Sequence, residues 1–263
     1  MDILGAIENL NSVINMNRIS IELVPRTYDV LAEELAIVKN DLPNVDTVNI
    51  PDILRLDVRS WEACERAKVD FKNTIPHIRA MDFSLDKLSE LLEIIERVEL
   101  SEVLLVQGDA PADSRREHYD TKVVELIEAL KAAKPSLKVY AALDPYRSSV
   151  IEELAYCKRK IEAGADGFFT QPFFDLNFME VYASQLAPLG TEVFWGVSPV
   201  LTERSHQYWI NRNHAFFPKD FTPTLEWNRD FARKALSFIK LNGGHIYFMP
   251  IKADIKEYLG DVL

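Results

Sequence analysis

Eight short apolar runs alternate with amphipathic stretches along 263 residues, and no glycine-rich turn follows the first of them. These observations predict an α/β fold: a single (β/α)8 or TIM barrel with an extra helix at its N-terminus. Strict alternation of strand and helix implies parallel strands, because parallel neighbours need a crossover between them. The length is close to the roughly 250 residues such a barrel uses. An open doubly wound sheet would favour a glycine-rich first turn, whereas Leu23-Val24-Pro25-Arg26-Thr27 follows the first strand here. No repeat, low-complexity tract or linker-like stretch divides the chain, so 1–263 reads as one catalytic domain.

The segment 3–16 reads as the preliminary helix. A strand over 19–24 (ISIELV) precedes a helix over 28–39 that carries Leu31, Leu35 and Val38 on one face. A second strand over 45–50 precedes a short helix over 61–71, and 74–80 (TIPHIRA) is a third, less apolar strand. Ser84 then caps a helix with Leu88, Leu91, Leu92 and Ile95 at helical spacing. The next pairs are 102–106 (EVLLV) with 121–133, 138–142 (KVYAA) with 149–163, and 167–170 (GFFT) with 176–186. The seventh pair is 192–197 (EVFWGV) with 202–211. An excursion over 216–225, with prolines and aromatics, interrupts the rhythm before another helix over 226–241. Gly243-Gly244 leads into the last strand, 245–249 (HIYFM), and 253–259 closes the ring.

With 48% hydrophobic residues the chain can bury a large core. A net charge of −11 argues against a nucleic-acid binder, which needs a concentrated basic face. An anionic ligand would then need Lys, Arg or helix N-termini gathered at its site. Cys64 and Cys157 have neither a CxxC spacing nor a histidine partner, so the expectation is two buried thiols, with no disulfide and no metal site. No basic-led apolar leader and no run of about 18 apolar residues is present, which points away from a membrane and towards the cytoplasm.

In such a barrel the active site lies at the C-terminal ends of the strands. The residues expected there are Glu22, Asn49, His77 with Asp82, Gln107-Gly108-Asp109, Asp144, Gln171, Ser198 and Lys252. Taken singly, Glu22 reads as a strand-end ion-pair partner, His77 as a structural histidine and Lys160 as a solvated helix lysine. Their polar company at one topological level describes instead a pocket able to hold a heteroaromatic ring by its edge.

Several segments resemble the methylenetetrahydrofolate reductase family. Ile19-Ser20-Ile21-Glu22-Leu23-Val24-Pro25-Arg26 is similar to its SFEFFPP-like first strand, and Pro76-His77-Ile78-Arg79-Ala80-Met81-Asp82 to its PHLTC-x-D strand. Val106-Gln107-Gly108-Asp109-Ala110-Pro111 resembles its L-R-G-D-x-P turn. Lys158-Arg159-Lys160 through Gly164, then Thr170-Gln171-Pro172-Phe173-Phe174-Asp175, resembles its LKRK-x-x-AGA…TQ-x-x-F-D block. Trp195-Gly196-Val197-Ser198-Pro199-Val200 is similar to its PGI-x-P-V strand. The motifs fall in family order over nearly the whole chain.

The resemblance implies an NAD(P)H-dependent enzyme of one-carbon metabolism. It would reduce 5,10-methylenetetrahydrofolate to 5-methyltetrahydrofolate through bound FAD, the two substrates sharing one site. It assigns catalysis to Glu22, as the acid, and to Asp109, and folate recognition to Gln171 and Asp109. It assigns FAD contacts to His77, Gln107, Gly108, Asp109, Tyr119, Arg147 and Lys160. Three departures fall on flavin contacts. Gln107 replaces the family's arginine, Leu143-Asp144-Pro145-Tyr146-Arg147 replaces a Tyr-Pro-Glu-x-His-like run, and Leu23-Val24 replaces a phenylalanine pair. Two other readings stay open on the same barrel: a pterin- or folate-binding methyltransferase, and a non-catalytic folate-binding subunit. The aromatic cluster around His214–Phe217 and Phe221 suits the latter. A homo-oligomer or an electron-supplying partner subunit is compatible with each.

Overall fold

Alternate residues of each strand face two different apolar surroundings, and this period of two closes the sheet on itself. The strands are β1 (Ile19–Glu22), β2 (Thr47–Ile50), β3 (Asn73–Arg79), β4 (Glu102–Val106), β5 (Lys138–Leu143), β6 (Gly167–Thr170), β7 (Glu192–Val197) and β8 (His245–Phe248). They are hydrogen-bonded in sequence order as a closed barrel, all parallel, and β8 returns to β1 with Ile21 opposite Phe248. The computed structural model describes residues 18–109 and 117–263. The helix expected over 3–16 therefore lies outside the described residues, as do Ala110 and Pro111 of the Gly-Asp turn.

Outward residues such as Ile21, Val48, Ile78, Val103, Leu105, Val139 and Phe168 join the helices in the larger core. Inward residues form a second core of Ile75, Leu104, Tyr140, Phe169, Phe194 and Tyr247, in which the Phe169 and Phe194 rings stack with centroids 4.1 Å apart. Gly196 is required by this layer. A Cβ there would come within 2.9 Å of the Tyr247 ring and 2.8 Å of the Thr170 carbonyl.

The N-terminal end of the barrel is closed by charge. Arg18, just before β1, pairs with Glu102 at 2.8 Å and donates to Thr47 Oγ1 at 3.0 Å. Its guanidinium also lies 5.2 Å from the Phe194 centroid. Across the same end, Glu192 accepts from Lys138 at 2.7 Å and from Tyr140 Oη at 2.9 Å, and His245 Nε2 stands 3.7 Å away. The charged groups here are each at or beside the first residue of their strands, while Tyr140 and Phe194 stand two residues further along and meet them with their rings.

The helices are α1 (Tyr28–Asp41), α2 (Ser60–Ala67), α3 (Leu88–Arg97), α4 (Val123–Ala133), α5 (Val150–Glu162), α6 (Leu176–Leu186), α7 (Glu203–Asn213), α8 (Leu225–Asn242) and α9 (Ile255–Leu259). Short polar side chains start most of them. The side chains of Thr27, Ser149, Asp175, Thr202, Thr224 and Asp254 each accept a first-turn backbone N–H. Ser84 does not. It precedes a 3-10 turn, Leu85–Lys87, and makes no side-chain cap bond, so α3 starts only at Leu88.

The seventh ring helix also differs from expectation. It is α8, which packs on β7 and β8 and buries Phe231, Ala232, Ala235, Leu236 and Ile239. The earlier segment forms α7, which has no buried residue and sits in the β7–α8 connection, at the C-terminal end of the strands. Its Trp209 meets Phe174 edge-on at 5.2 Å, and Phe217 stacks on Phe174 at 4.3 Å, so the excursion covers the β6–α6 turn. Cys64 and Cys157 are buried and free, and burial raises both thiols above their ordinary range, Cys157 to about 12. Among the described residues no helix is long and apolar enough to cross a membrane.

Candidate active site

At the C-terminal end of the barrel, above the aromatic layer, three polar side chains from consecutive strands meet. Glu22 ends β1 with only 7% of its surface exposed, Asn49 stands beside it in β2, and His77 projects from β3. Asn49 Nδ2 lies 3.0 Å from Glu22 Oε2 and 3.1 Å from His77 Nε2, while Asn49 Oδ1 accepts from Ser20 Oγ at 2.7 Å.

The electrostatics are set by burial. Desolvation raises the Glu22 carboxyl from 4.5 to about 7, although the Asn49 bond pulls the other way. Desolvation lowers His77 to about 3, so its imidazole is neutral and its 3.8 Å approach to Glu22 is not an ion pair. The Tyr247 phenol below is pushed well above its ordinary value by burial, then by the charge of Glu22, and its hydroxyl donates to the Thr170 carbonyl. The cluster is thus a carboxyl that holds a proton near neutrality, beside a neutral imidazole.

The other expected residues divide into two groups. Asp109, Tyr119 and Gln171 stand at strand or loop ends on this face, Asp109 and Gln171 exposed and Tyr119 partly so. Tyr119 donates to Glu117. Among the described residues, no side-chain hydrogen bond joins Asp109 or Gln171 to Glu22. The second group is engaged in holding the fold. Gln107 donates to the Thr121 carbonyl at 3.0 Å and accepts from Val123 N at 3.2 Å, tying the end of β4 to the start of α4. Ser198 donates to the Met249 carbonyl at 2.9 Å. Asp144 accepts from Tyr146 N at 3.0 Å. Arg147 forms a close ion pair with Glu153 and lies over the Tyr156 ring. Lys160 is 2% exposed, with Nζ on the Ala142 carbonyl at 2.6 Å and 3.8 Å from the Tyr156 centroid. Burial lowers its pKa to about 8.

The sequence reading missed Arg79. Arg79 ends β3 beside the Gln107-Gly108-Asp109 turn. Arg79 lies opposite Val106 in the register, donates to the Asp109 carbonyl at 2.6 Å, and pairs with Asp82 at 3.2 Å. Gly108 has φ +84°, and a Cβ there would stand 3.1 Å from the guanidinium. The turn lies directly against the arginine. An arginine in a strand segment opposite a Gln-Gly-Asp turn was the available signal.

A sequence profile described as methylenetetrahydrofolate reductase matches residues 58–237, more than half of the chain. The chain is 24% identical over 154 residues to the 5,10-methylenetetrahydrofolate reductase of Pectobacterium carotovorum subsp. carotovorum, covering 57% of this chain and 52% of that one. It is 27% identical over 128 residues to the enzyme of the same description from Escherichia coli (strain K12), covering 48% and 43%. The chain spans about half the length of these curated relatives. Among solved structures it resembles a 2,3-dimethylmalate lyase in its triclinic crystal form, with a TM-score of 0.58 at 14% identity, covering 94% of this chain and 80% of that one. It also resembles a dihydropteroate synthase from Stenotrophomonas maltophilia, with a TM-score of 0.54 at 14% identity, covering 94% and 91%. At that identity these two show the barrel alone. Glu22 and Asn49 precede the matched stretch, so their standing rests on geometry.

Proposed function

The chain belongs to the methylenetetrahydrofolate reductase family, and from that premise we propose that it reduces 5,10-methylenetetrahydrofolate to 5-methyltetrahydrofolate at the expense of NADH or NADPH. The observation that carries this reading is the proton-holding Glu22 at the mouth of the barrel. In the substrate one carbon bridges N5 and N10. Protonation at N10 breaks its bond to that carbon and leaves an N5 iminium. A hydride from the reduced nicotinamide then converts the carbon to a methyl group, and oxidised nicotinamide leaves. The reaction needs one proton delivered at N10, and a carboxyl with a pKa of about 7 is half protonated at neutral pH. Asp109 and Gln171, exposed on the same face, are suited to the donor and acceptor edge of a pterin.

Of the contacts expected for FAD, which the family resemblance brings with it, His77, Gly108, Asp109 and Tyr119 remain on the strand-end face, while three others are engaged within the fold. Lys160 is buried on a carbonyl, Arg147 is paired with Glu153, and both ends of the Gln107 amide are taken. A bound FAD diphosphate would need other cations. The step attributed to Glu22 needs no flavin. The visible spectrum of the purified protein, followed through anaerobic additions of NADH and then folate, reads directly whether a flavin carries the hydride.

The test of the reading is Glu22→Gln. Folate reduction should fall by at least about a hundredfold, the range expected for loss of a general acid. Binding of NADH, followed by its fluorescence, should survive. In the parent protein the rate should decline as pH rises through about 7, where Glu22 loses its proton. Undiminished folate reduction, or loss of NADH binding together with folate reduction, would remove Glu22 from the acid role.

A further inference from the structure

Asn49 is fully buried, and its amide has one partner for each hydrogen and one for its oxygen. The Ser20 hydroxyl donates to Oδ1 at 2.7 Å. The two amide hydrogens are then directed to Glu22 Oε2 at 3.0 Å and His77 Nε2 at 3.1 Å. An imidazole nitrogen that accepts carries no proton, so the ring hydrogen of His77 belongs on Nδ1. Glu22 Oε2 is likewise an acceptor whether the carboxyl is ionised or not. Among the described residues Glu22 Oε1 has no hydrogen-bond partner and is not one of the sealed, unpartnered atoms of the interior, which leaves it open to the mouth. The remaining neighbour from β8, Tyr247, has committed its hydroxyl proton to Thr170.

We propose that Asn49 is a positioning residue that sorts the two oxygens of Glu22. It anchors Oε2 as an acceptor, leaves the acidic proton on Oε1 facing the substrate, and locks His77 as its Nδ1–H tautomer. This rests on the reading of Glu22 as the acid and adds how its proton is aimed. The reversed amide would present Oδ1 to both neighbours and would require His77 to carry its proton on Nε2. The tautomer therefore reports the orientation directly.

The experiment uses the full chain labelled with 15N-histidine; there are five histidines, and His77→Gln assigns the one in question. In the unsubstituted protein, long-range 1H–15N spectra should show Nε2 unprotonated and the ring neutral from pH 5 to pH 8. Finding the proton on Nε2 would overturn the proposal without any variant. In Asn49→Leu the tautomer lock should be lost. kcat for folate reduction should fall about tenfold with KM little changed, and the alkaline midpoint of the rate should rise by about one pH unit, because a bond favouring the carboxylate is gone. Asn49→Thr, whose hydroxyl has one hydrogen to give, serves as the milder variant if the leucine protein does not fold. Parent-like tautomer, kcat and midpoint in either variant would also overturn the proposal. Full activity in Glu22→Gln sinks the acid reading itself, whereas an inactive Glu22→Gln beside a parent-like Asn49 variant sinks only the role of Asn49.

Discussion

Replacing Glu22 by glutamine should stabilise the folded protein at alkaline pH and leave it nearly unchanged in acid. The carboxyl titrates near 4.5 in an unfolded chain and at about 7 in the fold, where it is desolvated. Below pH 4 both states hold the proton and the side chain is neutral, as glutamine is. As pH rises, the unfolded chain ionises first, so stability is lost progressively until the folded carboxyl ionises too, and the loss levels off above about 7. The interval from 4.5 to about 7, at about 1.4 kcal/mol per pH unit, amounts to about 3 kcal/mol. Glutamine still accepts the Asn49 hydrogen bond, so the difference isolates the charge. Urea denaturation of both proteins at pH 4.5 and pH 8.5 measures it. The gap should be small at the first pH and about 3 kcal/mol in favour of Glu22→Gln at the second, several degrees in Tm for a domain of this size. A gap of the same size at both pH values, or one favouring glutamate at pH 8.5, would refute the placement of Glu22 in a desolvating site.

Two other perturbations test features away from the proton. Lys160→Met should leave uptake of added FAD, followed by flavin fluorescence, within about twofold of the parent, because the ammonium is bonded to Ala142 inside the protein; a tenfold weakening would put Lys160 on the cofactor. Gly196→Ala should cost about 1–3 kcal/mol in denaturant titrations, since the added methyl meets the Tyr247 ring and the Thr170 carbonyl. An unchanged midpoint would mean that the inner layer is looser than the contacts indicate.

The barrel was legible because each strand carries its own apolar signature and the alternation leaves few topologies open. What α7 packs against was not. Its amphipathic pattern is compatible with a ring helix, and only the tertiary fold puts Trp209 on Phe174 instead of on the barrel. Glu22 and His77 were legible as strand-end polar residues. Asn49 as the junction between them was not, because its partners are 27 and 28 residues away and a sequence does not say which amide hydrogen goes where. Lys160 misled for a physical reason: its basic neighbours read as a solvated helix face, yet a four-carbon stem can be buried whole when a carbonyl waits at its end. Gln107, expected at the cofactor, has an amide whose bond to the first turn of α4 no local pattern announces.

The charged closure beneath the aromatic layer makes the barrel a cul-de-sac. Among the described residues Arg18, Glu102, Lys138, Glu192 and His245 fill its foot, with the stacked Phe169 and Phe194 above them. Arrival and departure therefore use the same doorway. A product that lingers there bars the next reactant. Whatever such a molecule binds comes and goes through a single entrance.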